Sequence, residues 1–136
     1  ATGLPAWAHH ALAAEEALTA RSITLGCSIA LTGPLGQAGI EQLAGMKAAF
    51  AEVNAAGGVH GREIRVDAKD DGYVAARTLK NVTEMVEAQS MFALISPLGT
   101  ANTASILPLV ESKGIPTVGP VTGALITVYS TLSVAV

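Results

Sequence analysis

The run ITLGCSIALTGPLGQAG, residues 23–39, decides the fold. Apolar residues recur at every second position, Ile23, Leu25, Cys27, Ile29 and Leu31, with small or polar residues between them, which is the period of a strand. Gly33, Gly36 and Gly39 follow at once, and the pattern then changes to that of a helix. A strand, a glycine-spaced loop and a helix start form the ligand-holding unit of open α/β sheets. The loop alone does not say whether it holds a nucleotide, a phosphate or a free solute.

Downstream, residues 39–54 predict an amphipathic helix with Leu43, Met46, Phe50 and Val53 on its buried stripe and Glu41, Lys47 and Glu52 off it. Asn54-Ala55-Ala56-Gly57-Gly58 ends it by placing glycine where a left-handed C-cap is wanted. Val59-His60-Gly61-Arg62 then turns the chain into a strand over residues 63–68, where Ile64, Val66 and Ala68 alternate with Arg65 and Asp67. Lys69-Asp70-Asp71-Gly72 follows. A carboxylate pair can serve acid–base chemistry, but an Asp just before a helix is more often an N-cap, and a cap is the expectation here.

Residues 74–87 predict a second helix, with Ala75, Leu79, Val82 and Val86 inward, Arg77, Lys80 and Glu84 outward and Met85 at the core edge. The apolar run at residues 91–95 suits a strand buried on both faces. Ser96-Pro97-Leu98-Gly99 closes it, and Thr100 or Asn102 is placed to cap a third helix. That helix carries Ile106, Leu109 and Val110 and ends near Ser112-Lys113-Gly114, with Pro108 expected to kink or shorten it. Residues 115–119 give a fourth strand, followed by Pro120-Val121-Thr122-Gly123-Ala124. Four strands alternating with three helices, with no repeat or linker between them, predict right-handed crossovers and a mostly parallel sheet. The loops at the carboxyl ends of the strands, residues 32–38, 70–73, 97–102 and 120–124, are then neighbours, and a ligand is expected across some of them.

Composition narrows the ligand. Half of the 136 residues are hydrophobic and 14% are charged, enough apolar material for one domain with a real core. The net charge is −3 and the eight basic residues are scattered singly. No basic stripe is available for a nucleic acid. Cys27 is the one cysteine, lies on the strand alternation and has no His or Asp beside it in a motif, so it reads as a small core hydrophobe, not a nucleophile. Residues 1–20 are alanine-rich, and Ala6-Trp7-Ala8 and Ala11-Leu12-Ala13 have the small-x-small form of an export-signal cleavage site. They are expected to be the remnant of such a signal, the alternative being a frayed leader. Adjacent His9 and His10 point in different directions on any regular backbone and have no further ligand at metal spacing.

The motifs for chemistry fail one by one. A dinucleotide fingerprint needs G-x-G-x-x-G with an acidic residue about twenty positions on. Here the spacing is G-x-x-G-x-x-G and Asp70 lies much farther away. No glycine is followed by Lys and then Ser or Thr, as a P-loop requires. No G-x-S-x-G elbow or triad set is present, and of the three His, His60 falls in a turn after a helix. No cofactor site is legible. The loops offer instead hydroxyls and helix-start amides at Thr100, Ala101 and Asn102, with Thr122 and Gly123 nearby, which can accept a carboxylate without an Arg. Capping by Thr100 or Asn102 is the plainer role, and the two can coexist.

Several of these stretches together resemble a known family. Ile29-Ala30-Leu31-Thr32-Gly33-Pro34, the turn Asn54-Ala55-Ala56-Gly57-Gly58-Val59-His60-Gly61-Arg62, Asp70-Asp71, Gly114-Ile115-Pro116 and Gly119-Pro120-Val121-Thr122-Gly123-Ala124 look like the periplasmic Leu/Ile/Val-binding protein family, the type I solute-binding receptors of ABC transporters. The likeness covers roughly residues 23–124. It implies a Rossmann-like parallel sheet with flanking helices, the first part of lobe 1 of a two-lobed clamp. It also implies a periplasmic location, an amino acid or related small solute as ligand, an ABC permease in the inner membrane as partner, and no chemistry on the ligand. Carried over by position, Thr100, Ala101 and Asn102 would hold the ligand carboxylate. Thr122, Gly123 and Ala124 would meet its ammonium and backbone. Gln37 and Ala38 would line the cleft, Ala38 being small where some relatives have an aromatic. The domain division implied is a leader over 1–20, a partial lobe over 21–124 and an uncharged tail over 125–136. The family is normally more than twice this length and continues past Ala124 with polar and basic residues, so a truncated or frame-shifted product is the expectation for the tail. A nucleotide-dependent α/β enzyme domain and a ligand-sensing domain of a receptor or regulator remain the alternatives.

Overall fold

The computed structural model describes residues 17–123. The leader up to residue 16, Ala124 and the tail lie outside the described residues. Strands and helices alternate as β1 (Ser22–Ile29), α1 (Gly36–Ala55), β2 (Glu63–Asp70), α2 (Ala75–Glu87), β3 (Ala93–Ile95), α3 (Thr100–Lys113) and β4 (Thr117–Val118). All pairings are parallel and the order across the sheet is β2-β1-β3-β4. β1 and β2 are in register along their whole length, from Ser22 opposite Glu63 to Ile29 opposite Asp70. Asp70 thus ends level with the loop that leaves β1.

Successive strand residues face opposite sides of a sheet, and the core divides accordingly. On one face Leu94 joins Val82 and Met85 of α2, Met91, Ile106 and Val110 of α3, and Ile115. On the other, Cys27, Ile29, Ala30 and Leu98 are buried, with Leu35, Met46, Val66 and Ile95 packed against them. Two helices cover the first face and α1 covers the second. Burying a side chain such as Ile29, Leu94 or Ile106 is worth about 1.5–3 kcal/mol, so each face is held by several such contributions.

Helical periodicity locates the elements but misplaces some of their faces. Val53 and Leu79, expected inward, are 38% and 39% exposed, while Met85, expected at the core edge, is fully buried. Its flexible thioether reaches the irregular space between β1 and Met91 that a branched chain would not fill. Pro108 neither ends nor divides α3, which runs continuously to Lys113. Pro108 and Ala104, whose carbonyl the missing N–H would have bonded, both lie on the exposed side, where water can replace that bond.

Two contacts fix α1. At its start, a Cβ on Gly39 would collide with the carbonyl oxygen of Ala30, so the helix lies against the end of β1 at a distance only glycine permits. At its end, the Asn54 carboxamide accepts the Ile64 N–H at 2.8 Å and donates to the Ile64 carbonyl at 2.9 Å. Gly57 and Gly58 then take the left-handed conformations expected of the turn.

Gly39→Ala is expected to destabilise the fold by about 1–3 kcal/mol, the usual cost of overpacking, seen as a lower urea midpoint. Gly45→Ala, on the same helix but facing open space, is expected to raise the midpoint by roughly 0.5–1 kcal/mol through helix propensity. Equal responses at both positions would show that the Ala30 contact does not set the helix position.

Candidate functional site

In the order β2-β1-β3-β4 the chain leaves β1 toward one edge of the sheet and leaves β3 toward the other. The loops after β1 and β3 therefore diverge, and the crevice between them is where open α/β sheets hold ligands. β3 and β4 are prolonged toward this crevice by a bridge between Leu98 and Val121. Gly99 N–H donates to the Val121 carbonyl at 2.9 Å, and Val121 N–H donates to the Pro97 carbonyl at 2.9 Å. Thr100 is thereby set beside residues 121–123. Its Oγ1 accepts the Gly123 N–H at 3.1 Å and the Thr122 hydroxyl at 3.3 Å.

Thr100, Thr122 and Gly123 are thus brought together, and Ala101 lies exposed in the first turn of α3. Neither Thr100 nor Asn102 caps that helix, contrary to the expectation. The N-cap is Gly99, at φ 109° and ψ 144°, and among the described residues no side chain caps the first turn. Those amides have no acceptor within the helix and sit at the positive end of its dipole. Asn102 faces inward: it is 2% exposed and its Nδ2 donates to Thr78 Oγ1 at 2.7 Å. Only its backbone is available to a ligand. Gln37 and Ala38 are exposed at the start of α1, where the Gln37 side chain donates to Glu41 at 2.8 Å. Ala124 lies outside the described residues.

The Asp70-Asp71 pair does not cap α2 either. The N-cap there is Val74, without a side-chain bond. Gly72 and Tyr73, both left-handed at φ 59° and 64°, intervene and leave the carboxylates too far back to reach the first-turn amides. Asp70 instead grips the β1 loop. Its Oδ1 accepts the N–H of Leu31 at 2.8 Å, Thr32 at 3.1 Å and Gly72 at 2.9 Å, while Oδ2 accepts the Thr32 hydroxyl at 2.7 Å and Arg77 at 3.1 Å. The Thr32 hydroxyl, followed by the backbone amides, holds this carboxyl well below the usual carboxylate range.

Asp71 is fully buried. Its Oδ2 accepts the hydroxyls of Ser28 and Thr78, each at 3.0 Å, and its Oδ1 accepts the Tyr73 N–H at 2.9 Å. Asn81 donates to Ser28 Oγ at 3.1 Å. A polar chain therefore runs from Asn102 on α3 through Thr78 on α2 and Asp71 to Ser28 on β1. Residue types and spacing do not single out Ser28 or Thr78, since serine between apolar strand residues and threonine in a helix are both ordinary. No helical spacing links Thr78 to Asp71, because Asp71 precedes α2 and the left-handed Gly72 and Tyr73 lie between them. Cys27 is buried beside this chain, and burial followed by the Asp71 charge pushes its thiol up to about 12. It is chemically quiet.

Residues 22–131 match the model of the periplasmic binding proteins. The chain belongs to that family. Its sheet and flanking helices are the first part of lobe 1 of the type I fold, as the sequence resemblance implied. A possible leucine/isoleucine/valine-binding protein from Rhodopirellula baltica is 31% identical with a TM-score of 0.73, over 77% of this chain and 28% of that one. The branched-chain amino acid transporter substrate binding protein from Streptococcus pneumoniae, solved with isoleucine, is 27% identical with a TM-score of 0.71, over 77% of this chain and 30% of that one. A fatty acid ABC transporter substrate-binding protein from Thermomonospora curvata is also 27% identical, with a TM-score of 0.71, over 79% of this chain and 26% of that one. The chain thus spans under a third of the length of each of these periplasmic binding proteins. No curated protein matches it.

A carboxyl whose folded pKa is depressed contributes stability that is present above its unfolded value, about 3.9 for Asp, and lost as pH falls through the folded one. The urea midpoint is therefore expected to drop steeply below about pH 4 in the wild type, and less steeply in Asp70→Asn, which starts lower at neutral pH. An unchanged slope in the variant would remove Asp70 as the source. Cys27 is expected to resist Ellman's reagent in the native protein at neutral pH and to react once unfolded in urea, because exposure restores both access and a thiolate fraction.

Proposed function

We propose that this chain forms the ligand-gripping part of lobe 1 of a solute receptor for an ABC transporter, capturing an amino acid in the periplasm and performing no reaction on it. The observation that carries this is the pairing of Thr100 Oγ1 with Gly123 N and Thr122 Oγ1 beside the uncapped start of α3. The amides of Thr100, Ala101 and Asn102 suit a carboxylate, which the helix dipole stabilises without a cation. Arg77, near the same end, is paired with Asp70 at 3.1 Å. In this reading Thr122 and Gly123 meet the ammonium and backbone of the solute, with Gln37 and Ala38 lining the cleft; Ala124, assigned the same role by the resemblance, lies outside the described residues. The S. pneumoniae relative's isoleucine complex supports an amino acid, with a branched-chain side chain as the first choice. The T. curvata relative supports a fatty acid as a second reading; it shares the carboxylate and lacks the ammonium. The ABC permease is the implied partner.

Isothermal titration of the whole gene product against the amino acids and a medium-chain fatty acid tests this. Saturable binding of at least one amino acid is expected. Binding of the fatty acid alone would leave the carboxylate site and remove the amino-acid assignment, and binding of neither would overturn the proposal. The 136-residue chain by itself is expected to bind in the millimolar range or not at all, because one lobe supplies about half the contacts and cannot close over the solute. Micromolar binding by the chain alone would contradict a shared, two-lobed site.

A further inference from the structure

Ser96, just past the end of β3, holds a conformation that serine avoids on two counts. Its φ is 53°, a region that few residues other than glycine enter, and it precedes Pro97, where the backbone is normally extended. Such a residue persists only where its surroundings over-determine it. Here every polar group of Ser96 is bound. Its N–H donates to the Val118 carbonyl at 2.8 Å and its hydroxyl to the Gly119 carbonyl at 3.2 Å. Its carbonyl and its Oγ each accept a hydrogen from one amide nitrogen, Gln42 Nε2, at 2.9 Å and 2.8 Å. A carboxamide carries two such hydrogens, so Gln42 serves both acceptors at once.

Gln42 lies on α1, 54 residues earlier in the chain and one turn after Ala38. It and Ser96 are both half-buried, so water competes for these bonds only in part. Ser96 governs the base of the site. Residues 97–100 leave it as one arm, residues 120–123 leave Gly119 as the other, and the Ser96 hydroxyl ties the two arms at their root. Further along they pair through Val121, whose N–H donates to the Pro97 carbonyl and whose carbonyl accepts the Gly99 N–H, each at 2.9 Å. Thr100 stands at the end of the first arm, against Thr122 and Gly123 at the end of the second.

We propose that Gln42 is a positioning residue of the solute site: by holding Ser96 left-handed it keeps the two arms paired before the solute arrives. This rests on the amino-acid reading above and adds a residue that acts on affinity through the backbone of Ser96. Without the Gln42 amide, Ser96 is free to relax toward the extended backbone that a residue before proline prefers, and the arms shift with it. A solute that binds only the paired arrangement then meets a smaller competent population, and its apparent affinity falls by the same fraction.

The test is titration of the whole gene product with the common amino acids, and of its variants with the amino acid the wild type binds most tightly, at a temperature where circular dichroism shows each to be folded. Gln42→Met keeps the length of the side chain and removes both donors, and is expected to weaken binding on the order of tenfold. Ser96→Gly takes the left-handed backbone without strain and is expected to bind within about threefold of the wild type. In that background Gln42→Met should cost less than about threefold, a rescue that a role of Gln42 in stability alone would not produce. Should Gln42→Met fail to fold, Ser96→Ala takes its place: it loses the hydroxyl, keeps the strained backbone and should bind more weakly than Ser96→Gly. Wild-type affinity in Gln42→Met, an undiminished loss in the Ser96→Gly background, or Ser96→Ala binding at least as tightly as Ser96→Gly would overturn the proposal while leaving amino-acid capture intact. Absence of any amino-acid binding by the wild type would overturn both.

Discussion

Two neighbouring carboxylates at the end of β2 hold the loops at the carboxyl ends of the strands together. Because successive residues of a strand point to opposite sides, Asp70 turns to the loop leaving β1 and Asp71 turns into the interior. Asp70 collects three backbone amides and a hydroxyl from segments that would otherwise end in solvent. Asp71 sits without solvent and accepts three donors. A buried charge is tolerable only while its donors stay in place, so Ser28, Thr78 and the Tyr73 amide behave as one unit. Through Thr78 and Asn102 the same unit sets where α3 begins relative to β1.

The alternation of strands and helices was legible because apolar periodicity changes cleanly between the two periods along the chain, and parallel topology follows from handedness. The last strands are shorter than the apolar runs suggest. Met91 is buried ahead of β3, Phe92 reaches β1 only through its N–H to the Thr24 carbonyl, and from β4 only Thr117 and Val118 are in register with β3. The errors concentrate at helix starts. Thr100, Asn102 and Asp71 are residue types that cap, and local sequence offers no reason why they should not. What decides otherwise is tertiary: Asn102 finds a buried partner on another helix, and a two-residue left-handed turn displaces Asp71 from its own.

The proximity of Thr100 to Thr122 and Gly123 was legible for a topological reason. Loops that leave adjacent parallel strands start side by side, which is why Thr100, after β3, could be placed near Thr122 and Gly123, after β4, before any distance was known. The tie from Gln42 to Ser96 could not be foreseen, since it depends on a backbone conformation that serine before proline seldom takes. Among the described residues this end of the lobe offers an anion dipoles and hydroxyls, its nearby guanidinium being occupied by Asp70. Partial charges orient a carboxylate well and hold it less tenaciously than a bare charge would.

The Asn54 carboxamide also has a role beyond joining α1 to β2. Among the described residues β2 is the outermost strand on its side, and Ile64 directs its N–H and carbonyl away from β1. Those two groups are a ready template for a foreign strand. By presenting one donor and one acceptor in the geometry of a peptide bond, Asn54 imitates a single residue of a neighbouring strand and occupies the template. The turn that ends the first helix thereby also guards the sheet against edge-to-edge association with other molecules.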